Sequence, residues 1–139
     1  MREDSDNAKG QLLRAEHLFY VTLKYTRTAD VIRNAIKRLI SALDYTVEDM
    51  LHAKKVKNMP TIPLMRVDLL QKVYPKDKKV NELMEFYYLL RRIDKSRFDV
   101  REEFRKNVAL VTEGEVVNIE RLKEFLHKTK EFVELYSEK

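Results

Sequence analysis

The stretch Thr28-Ala-Asp-Val-Ile-Arg-Asn-Ala-Ile-Lys-Arg-Leu-Ile-Ser-Ala-Leu-Asp-Tyr-Thr-Val-Glu-Asp-Met50 decides the fold. Ile32, Ile36, Leu39, Leu43, Val47 and Met50 recur at steps of four and three, the spacing that gathers side chains on one face of an α-helix. Val31, Ala35 and Ala42 widen the stripe, while Arg33, Asn34, Lys37, Arg38, Asp44 and Glu48 take the other side. The Thr28 hydroxyl suits an N-cap, and Asp30 puts a negative charge in the first turn, where the helix dipole favours it. The helix should end near Lys55 to Asn58, before Pro60 and Pro63. A helix of that length spans a whole bundle, so its neighbours must pack along it.

Upstream, Ala8, Leu12, Ala15, Phe19 and Leu23 form a second helical face. Tyr20 to Thr28 is rich in Thr and Tyr, which lose side-chain freedom in a helix, and predicts a break or kink. Downstream, Pro63 opens a short helix carrying Val67, Leu70 and Val73, stopped by Pro75. Asp77 caps a helix whose buried face is Val80, Leu83, Met84, Tyr87 and Leu90. Val100, Phe104 and Val108 keep the helical step through Arg97 to Asn107. Val108–Val111 and Val116–Ile119 flank Thr112-Glu113-Gly114-Glu115, which fits either a tight hairpin with Gly114 at positive φ or a plain helix–loop–helix connection. A last helix uses Ile119, Leu122, Phe125, Leu126, Thr129, Phe132, Val133 and Tyr136. The expected architecture is all-α: an antiparallel bundle of five or six helices in one domain over 1–139, with a short β-hairpin near 108–119 as an option.

Composition narrows the function classes. The chain has 139 residues, 44% hydrophobic and 37% charged, with Gly 2, Pro 3 and Cys 0. It is too apolar for a disordered chain and too poor in glycine and proline for a loop-rich sandwich. Without cysteine there is no disulfide, no thiolate metal site and no thiol nucleophile. No charged-then-apolar leader and no long apolar run stands in the sequence, so a soluble cytoplasmic protein with no membrane contact is expected. The net charge of +5 is concentrated in the middle, where residues 24–60 carry eight basic against four acidic side chains. Abundant Lys, Arg and Glu is the balance that heat-adapted proteins favour, so a thermophilic source is expected.

Enzyme signatures are scarce. Two glycines cannot build a P-loop or a dinucleotide fingerprint. Di-iron bundles need Glu-x-x-His on paired helices, and His17, His52 and His127 provide no such pair. No G-x-S-x-G elbow exists, and neither metal nor cofactor is expected. One constellation has chemistry: Arg121 and His127. Imidazole can accept a ribose 2′-hydroxyl proton and guanidinium can stabilise a phosphorane, which together would cleave RNA without metal. Six residues apart they differ by ~240° around a helix, so they can cooperate only near a helix end or across a dimer. The plainer alternative is a solvated helical face.

A second cluster is Arg91, Arg92, Lys95, Arg97, Arg101, Arg105 and Lys106, with Phe98 and Phe104 among them. Bases interleaved with aromatics suit phosphates and stacked nucleobases. Asp94, Asp99, Glu102 and Glu103 also interleave, and Glu102–Lys106 has favourable i,i+4 order, so a salt-bridged helix with core phenylalanines is the alternative. Tyr20, Tyr25, Tyr45, Tyr87 and Tyr88 read as amphipathic packing, and His17 and His52 as helix-boundary residues.

The stretch His17-Leu-Phe-Tyr-Val-Thr-Leu-Lys-Tyr-Thr-Arg-Thr-Ala-Asp-Val-Ile32 is similar to segments of small archaeal proteins. So are Tyr87-Tyr-Leu-Leu-Arg-Arg-Ile93 and Arg101-Glu-Glu-Phe-Arg-Lys-Asn-Val108. The helical layout resembles the HEPN superfamily, short bundles that often dimerise and include RNA-cleaving toxins and inert relatives. That resemblance implies an Arg, then four to six residues, then His toward the C-terminal helices. Arg121 to His127 satisfies the spacing. Arg101 to Asn107 has the same spacing in a context closer to the family's, with Asn where His would stand, and Asn is no general base at neutral pH. The implied function is a non-enzymatic, homodimeric bundle that binds RNA, through Arg91, Arg92, Arg97, Arg101, Arg105 and Lys106, or binds a protein partner. The alternatives are a metal-independent ribonuclease using Arg121 and His127, and a purely structural scaffold.

Overall fold

The structure is a computed structural model and describes residues 7–137. Asn7 opens α1 (Ala8–His17) by accepting the Gly10 amide at 2.7 Å. The rod runs on through a π-helical turn, Leu18–Thr22, into the single turn of α2 (Leu23–Tyr25). The expected break is therefore a graded one: a widened turn in a stretch crowded with β-branched and aromatic side chains, then extended backbone to Thr28. Leu23 returns to the core, whereas Phe19 stays half-exposed.

Thr28 caps α3 (Ala29–Ala53), its Oγ1 accepting the Val31 amide at 3.3 Å. Ile32, Ile36, Leu39, Leu43 and Val47 are fully buried, as the stripe requires. Lys55, at φ 56°, takes the left-handed position after the helix, and the Val56 amide returns to the Leu51 carbonyl at 3.1 Å. Pro63 then starts α4 (Pro63–Val73). Asp77 caps α5 (Lys78–Lys95), accepting the Lys79 and Val80 amides at 3.0 and 3.1 Å. The Tyr87 hydroxyl donates to Asp44 Oδ1 at 2.6 Å, joining α5 to α3, and the Tyr88 hydroxyl donates to Asp68, joining α5 to α4. Asn118 caps α6 (Ile119–Tyr136), whose Leu122, Phe125, Leu126, Phe132 and Val133 close the core. The buried hydroxyls of Thr46 and Thr129 donate to the carbonyls four residues earlier, both at 2.8 Å, so neither is left unsatisfied.

Between α5 and α6 stands a small antiparallel sheet: β1 (Asp99–Arg101), β2 (Ala109–Val111) and β3 (Val116–Asn118), in that order. Val100 faces Leu110, which faces Val117. The hairpin option near 108–119 is realised and gains a third strand. The helix expected over Arg97 to Asn107 is not formed. A helical step through Val100, Phe104 and Val108 would bury Phe104, which is 74% exposed. Glu102 and Phe104 instead adopt left-handed backbone, at φ 50° and 68°. Such positions cost roughly 1–2 kcal/mol each. Fully burying each of Val108, Leu110 and Val117 stabilises by about 1.5–3 kcal/mol, so the strand wins. Gly114 is not at positive φ either. The Thr112 side chain makes the turn in its place, its Oγ1 accepting the Glu115 amide at 3.1 Å while its own amide bonds the Glu115 carbonyl at 2.8 Å. Among the described residues no helix is long and apolar enough to cross a membrane.

Candidate nucleic-acid interface

The basic cluster of residues 91–106 runs from the end of α5 through β1 into the loop before β2. Ser96 stops α5 by turning to extended backbone (φ −76°, ψ 151°) while its hydroxyl donates to the Arg92 carbonyl at 2.7 Å. Arg91 lies 5.9 Å over the Tyr87 ring, and Arg92 is exposed. Asp94 is taken by α3: Arg33 Nε lies 3.5 Å and Lys37 Nζ 3.9 Å from its Oδ1. Arg33 also sits 5.4 Å over the ring of Phe98, which is half-buried. Of the two phenylalanines expected in the core, Phe98 packs against it and Phe104 does not.

The loop 102–107 is fixed by backbone rather than by side chains. The Arg105 amide bonds the Glu102 carbonyl at 3.1 Å, and the Val108 amide bonds the Arg105 carbonyl at 3.0 Å. The Phe104 amide reaches across to the Arg27 carbonyl at 2.6 Å, which ties the loop to the residues just before α3. The segment 97–106 carries the exposed side chains of Arg97, Arg101, Arg105 and Lys106. Asp99, Glu102 and Glu103 share the segment, yet among the described residues no ion pair joins them to those four bases. Without a helix the Glu102–Lys106 pair has no i,i+4 geometry to use.

Arg101 and Asn107 are brought together, on one cleft of about 480 Å³ whose wall also includes Lys106, Glu102, Asn118 and Glu120. Arg121 and His127 are held differently. Arg121 is half-buried, with Nη2 3.3 Å from Glu115 Oε2 and its guanidinium 5.0 Å over Phe125, and His127 is exposed further along α6. Neither lines the cleft beside Arg101. Glu124 stands three residues before His127, but among the described residues no group of three metal-ligating side chains gathers anywhere. His17 and His52 lie on the surface. Of the tyrosines, Tyr87 is buried and Tyr45 and Tyr88 are half-buried, whereas Tyr20 and Tyr25 are exposed.

Shifted ionisable groups occur in the core ties. Burial, then the hydrogen bond to Asp44, pushes the Tyr87 phenol up, and burial raises the Asp44 carboxyl. Burial and the bond to Asp68 push Tyr88 up to about 12. These groups hold helices together.

Two features have no signal in the sequence. Arg27 anchors the Phe104 loop through its carbonyl, so its side-chain type says nothing of the bond. The clefts beside Leu18 bring Arg14 of α1 to Arg38 and Lys37, which the sequence places on the outer side of a separate helix. No protein-family model matches the chain, and no curated protein or solved structure is similar to it.

Proposed function

We propose that this chain is a non-enzymatic helical bundle that binds single-stranded RNA through the loop between β1 and β2 and the adjoining end of α5. The observation that carries the reading is Phe104: a large aromatic ring, 74% exposed, on a loop fixed by backbone bonds, in a segment with four exposed bases that no acidic side chain pairs among the described residues. Exposing such a ring forgoes burial, and stacking on a nucleobase recovers it. Arg97, Arg101, Arg105 and Lys106 supply the phosphate contacts, with Arg92 extending the track. Asn107, on the same cleft as Arg101, can donate and accept hydrogen bonds but cannot take a proton, which suits binding without cleavage. The resemblance to inert HEPN-like bundles supports the same reading, and the homodimer that it implies would find apolar surface in the exposed Ile62, which precedes α4, and Met65 within it.

The test is gel electrophoresis of RNA with purified protein in EDTA, with His127→Ala alongside. Intact, retarded RNA with both proteins is the expected result. Cleavage by the wild type that disappears in His127→Ala would replace this reading with the metal-independent ribonuclease. Intact RNA without retardation would leave the scaffold.

A further inference from the structure

The first helical rod, which ends just before the Arg27 carbonyl that holds the Phe104 loop, leaves an apolar face outside the core. Leu13, Tyr20, Val21 and Tyr25 are 66%, 50%, 43% and 82% exposed. None of the five residues of the π-helical turn is buried, although four of them are apolar or aromatic. Spacings of seven, eight and twelve from Leu13 spread these side chains over about three turns of helix. The charged residues exposed on the same rod are Lys9, Arg14 and Lys24, all cationic, whereas Glu16 is half-buried.

Two clefts open on either side of Leu18. One, of about 430 Å³, is lined by Asn34, Lys37, Arg38 and Ser41, and the other, of about 250 Å³, by Arg14, His17 and Arg38. Among the described residues neither lining includes an acidic one. Arg38 forms the shared wall, and its Nη1 donates to Oε1 of the buried Gln11 at 3.1 Å, which fixes the guanidinium between the two openings.

We propose that this face docks an acidic amphipathic helix of a partner protein. Its apolar side chains would cover Leu13, Leu18, Val21 and Tyr25, and its flanking carboxylates would enter the two clefts to meet Arg14, Arg38 and Lys37. Charge complementarity selects the acidic partner, since every exposed charge on the rod has one sign. The same uniformity disfavours a second copy laid on this face, which would set Arg14 and Lys24 against their own kind. A nucleic acid stacks on aromatic platforms; Tyr20 and Tyr25 offer rings here, but Leu13, Leu18 and Val21 between and beside them are aliphatic and suit the apolar side of a helix. A bilayer meets a convex face and leaves clefts empty, while a helix with spaced anchors fills them.

The test uses the full chain and two labelled synthetic helices of about 18 residues, five turns long. Both carry Leu along one face, flanked by Glu in one and by Lys in the other. Fluorescence anisotropy should show the Glu peptide binding at least about tenfold more tightly than the Lys peptide. The Arg14→Glu/Lys24→Glu double variant should erase that preference, since Lys37 and Arg38 remain against two new carboxylates, and Tyr25→Ser should weaken the Glu peptide. All three sites are exposed, and melts by circular dichroism check that the variants fold; Tyr25→Ser reads the same face without a charge change. Equal affinity for the two peptides, binding of neither, or Glu-peptide binding unmoved by the double variant would overturn the proposal. So would tighter binding to phosphatidylserine vesicles than to the Glu peptide, or self-association abolished by Tyr25→Ser, which would assign the face to a lipid surface or to a second copy.

Discussion

The backbone amide of Phe104 donates to the carbonyl of Arg27 at 2.6 Å, across a sequence separation that spans most of the fold. That bond holds the loop between β1 and β2 against the entry to α3 and leaves the Phe104 ring in solvent. Because the loop is held through its main chain, its side chains can change with little effect on the fold. Binding and stability are therefore separable at this loop.

Phe104→Ala is expected to leave the melting temperature within the range of a surface change, about ±0.5 kcal/mol. Phe98→Ala, at a ring that packs on the core beneath Arg33, is expected to destabilise clearly. Thermal melts of the two variants side by side check this; equal losses would mean that Phe104 packs where the structure exposes it.

Arg101→Gln with Arg105→Gln removes two exposed charges that form no ion pair among the described residues. Each phosphate contact contributes about 0.7 to the slope of log affinity against log salt for a single strand, so the double variant should lower that slope by roughly 1.4. Affinity measured over a salt series gives the slope. An unchanged slope would place the phosphate contacts elsewhere.

Asp44 and Tyr87 predict a pH effect. Burial holds the Asp44 carboxyl above the ordinary aspartate range. The folded state then binds that proton more tightly than the unfolded chain does. The contribution is therefore fully present below the ordinary aspartate pKa and is lost as pH rises through the raised folded value. Asp44→Asn keeps an acceptor for Tyr87 and removes this dependence. Urea melts at several pH values should show wild type gaining on the variant as the solution is acidified towards the ordinary aspartate pKa. Tyr87→Phe, which strips the buried carboxylate of its donor, should cost about 1.5–3 kcal/mol at neutral pH.

Lys76 sits at φ 61° between α4 and α5. Glycine adopts that backbone without the Cβ clash, so Lys76→Gly should stabilise by up to about 1 kcal/mol, read as a rise in melting temperature. A fall would show that the Lys76 side chain makes up for its own strain.

The helices were legible because their signals are local and redundant. The stripe from Ile32 to Met50, the caps at Thr28 and Asp77, and the start of α4 at Pro63 all agree with the packing that formed, whereas α3 stops at Ala53, earlier than the expected Lys55 to Asn58, because Lys55 turns left-handed. The segment 97–107 misled because Val100, Phe104 and Val108 mimic a helical step, whereas strand pairing of Val100, Leu110 and Val117 depends on residues far apart in sequence. The same fact explains the binding surface. Its bases were visible as composition, but their freedom from Asp94 and Glu102 comes from where Arg33 stands and from the loss of the helix. The carbonyl of Arg27 could not have been found from side-chain chemistry at all.

The most direct test of the central claim is the affinity of a labelled single-stranded oligouridine for wild type and Phe104→Ala, measured by fluorescence anisotropy in EDTA. Stacking on one aromatic is worth about 1–3 kcal/mol. Wild type is expected to bind, and the variant, folded as before, to lose affinity by about five- to 150-fold. Equal binding by the two proteins, or none by either, would contradict it.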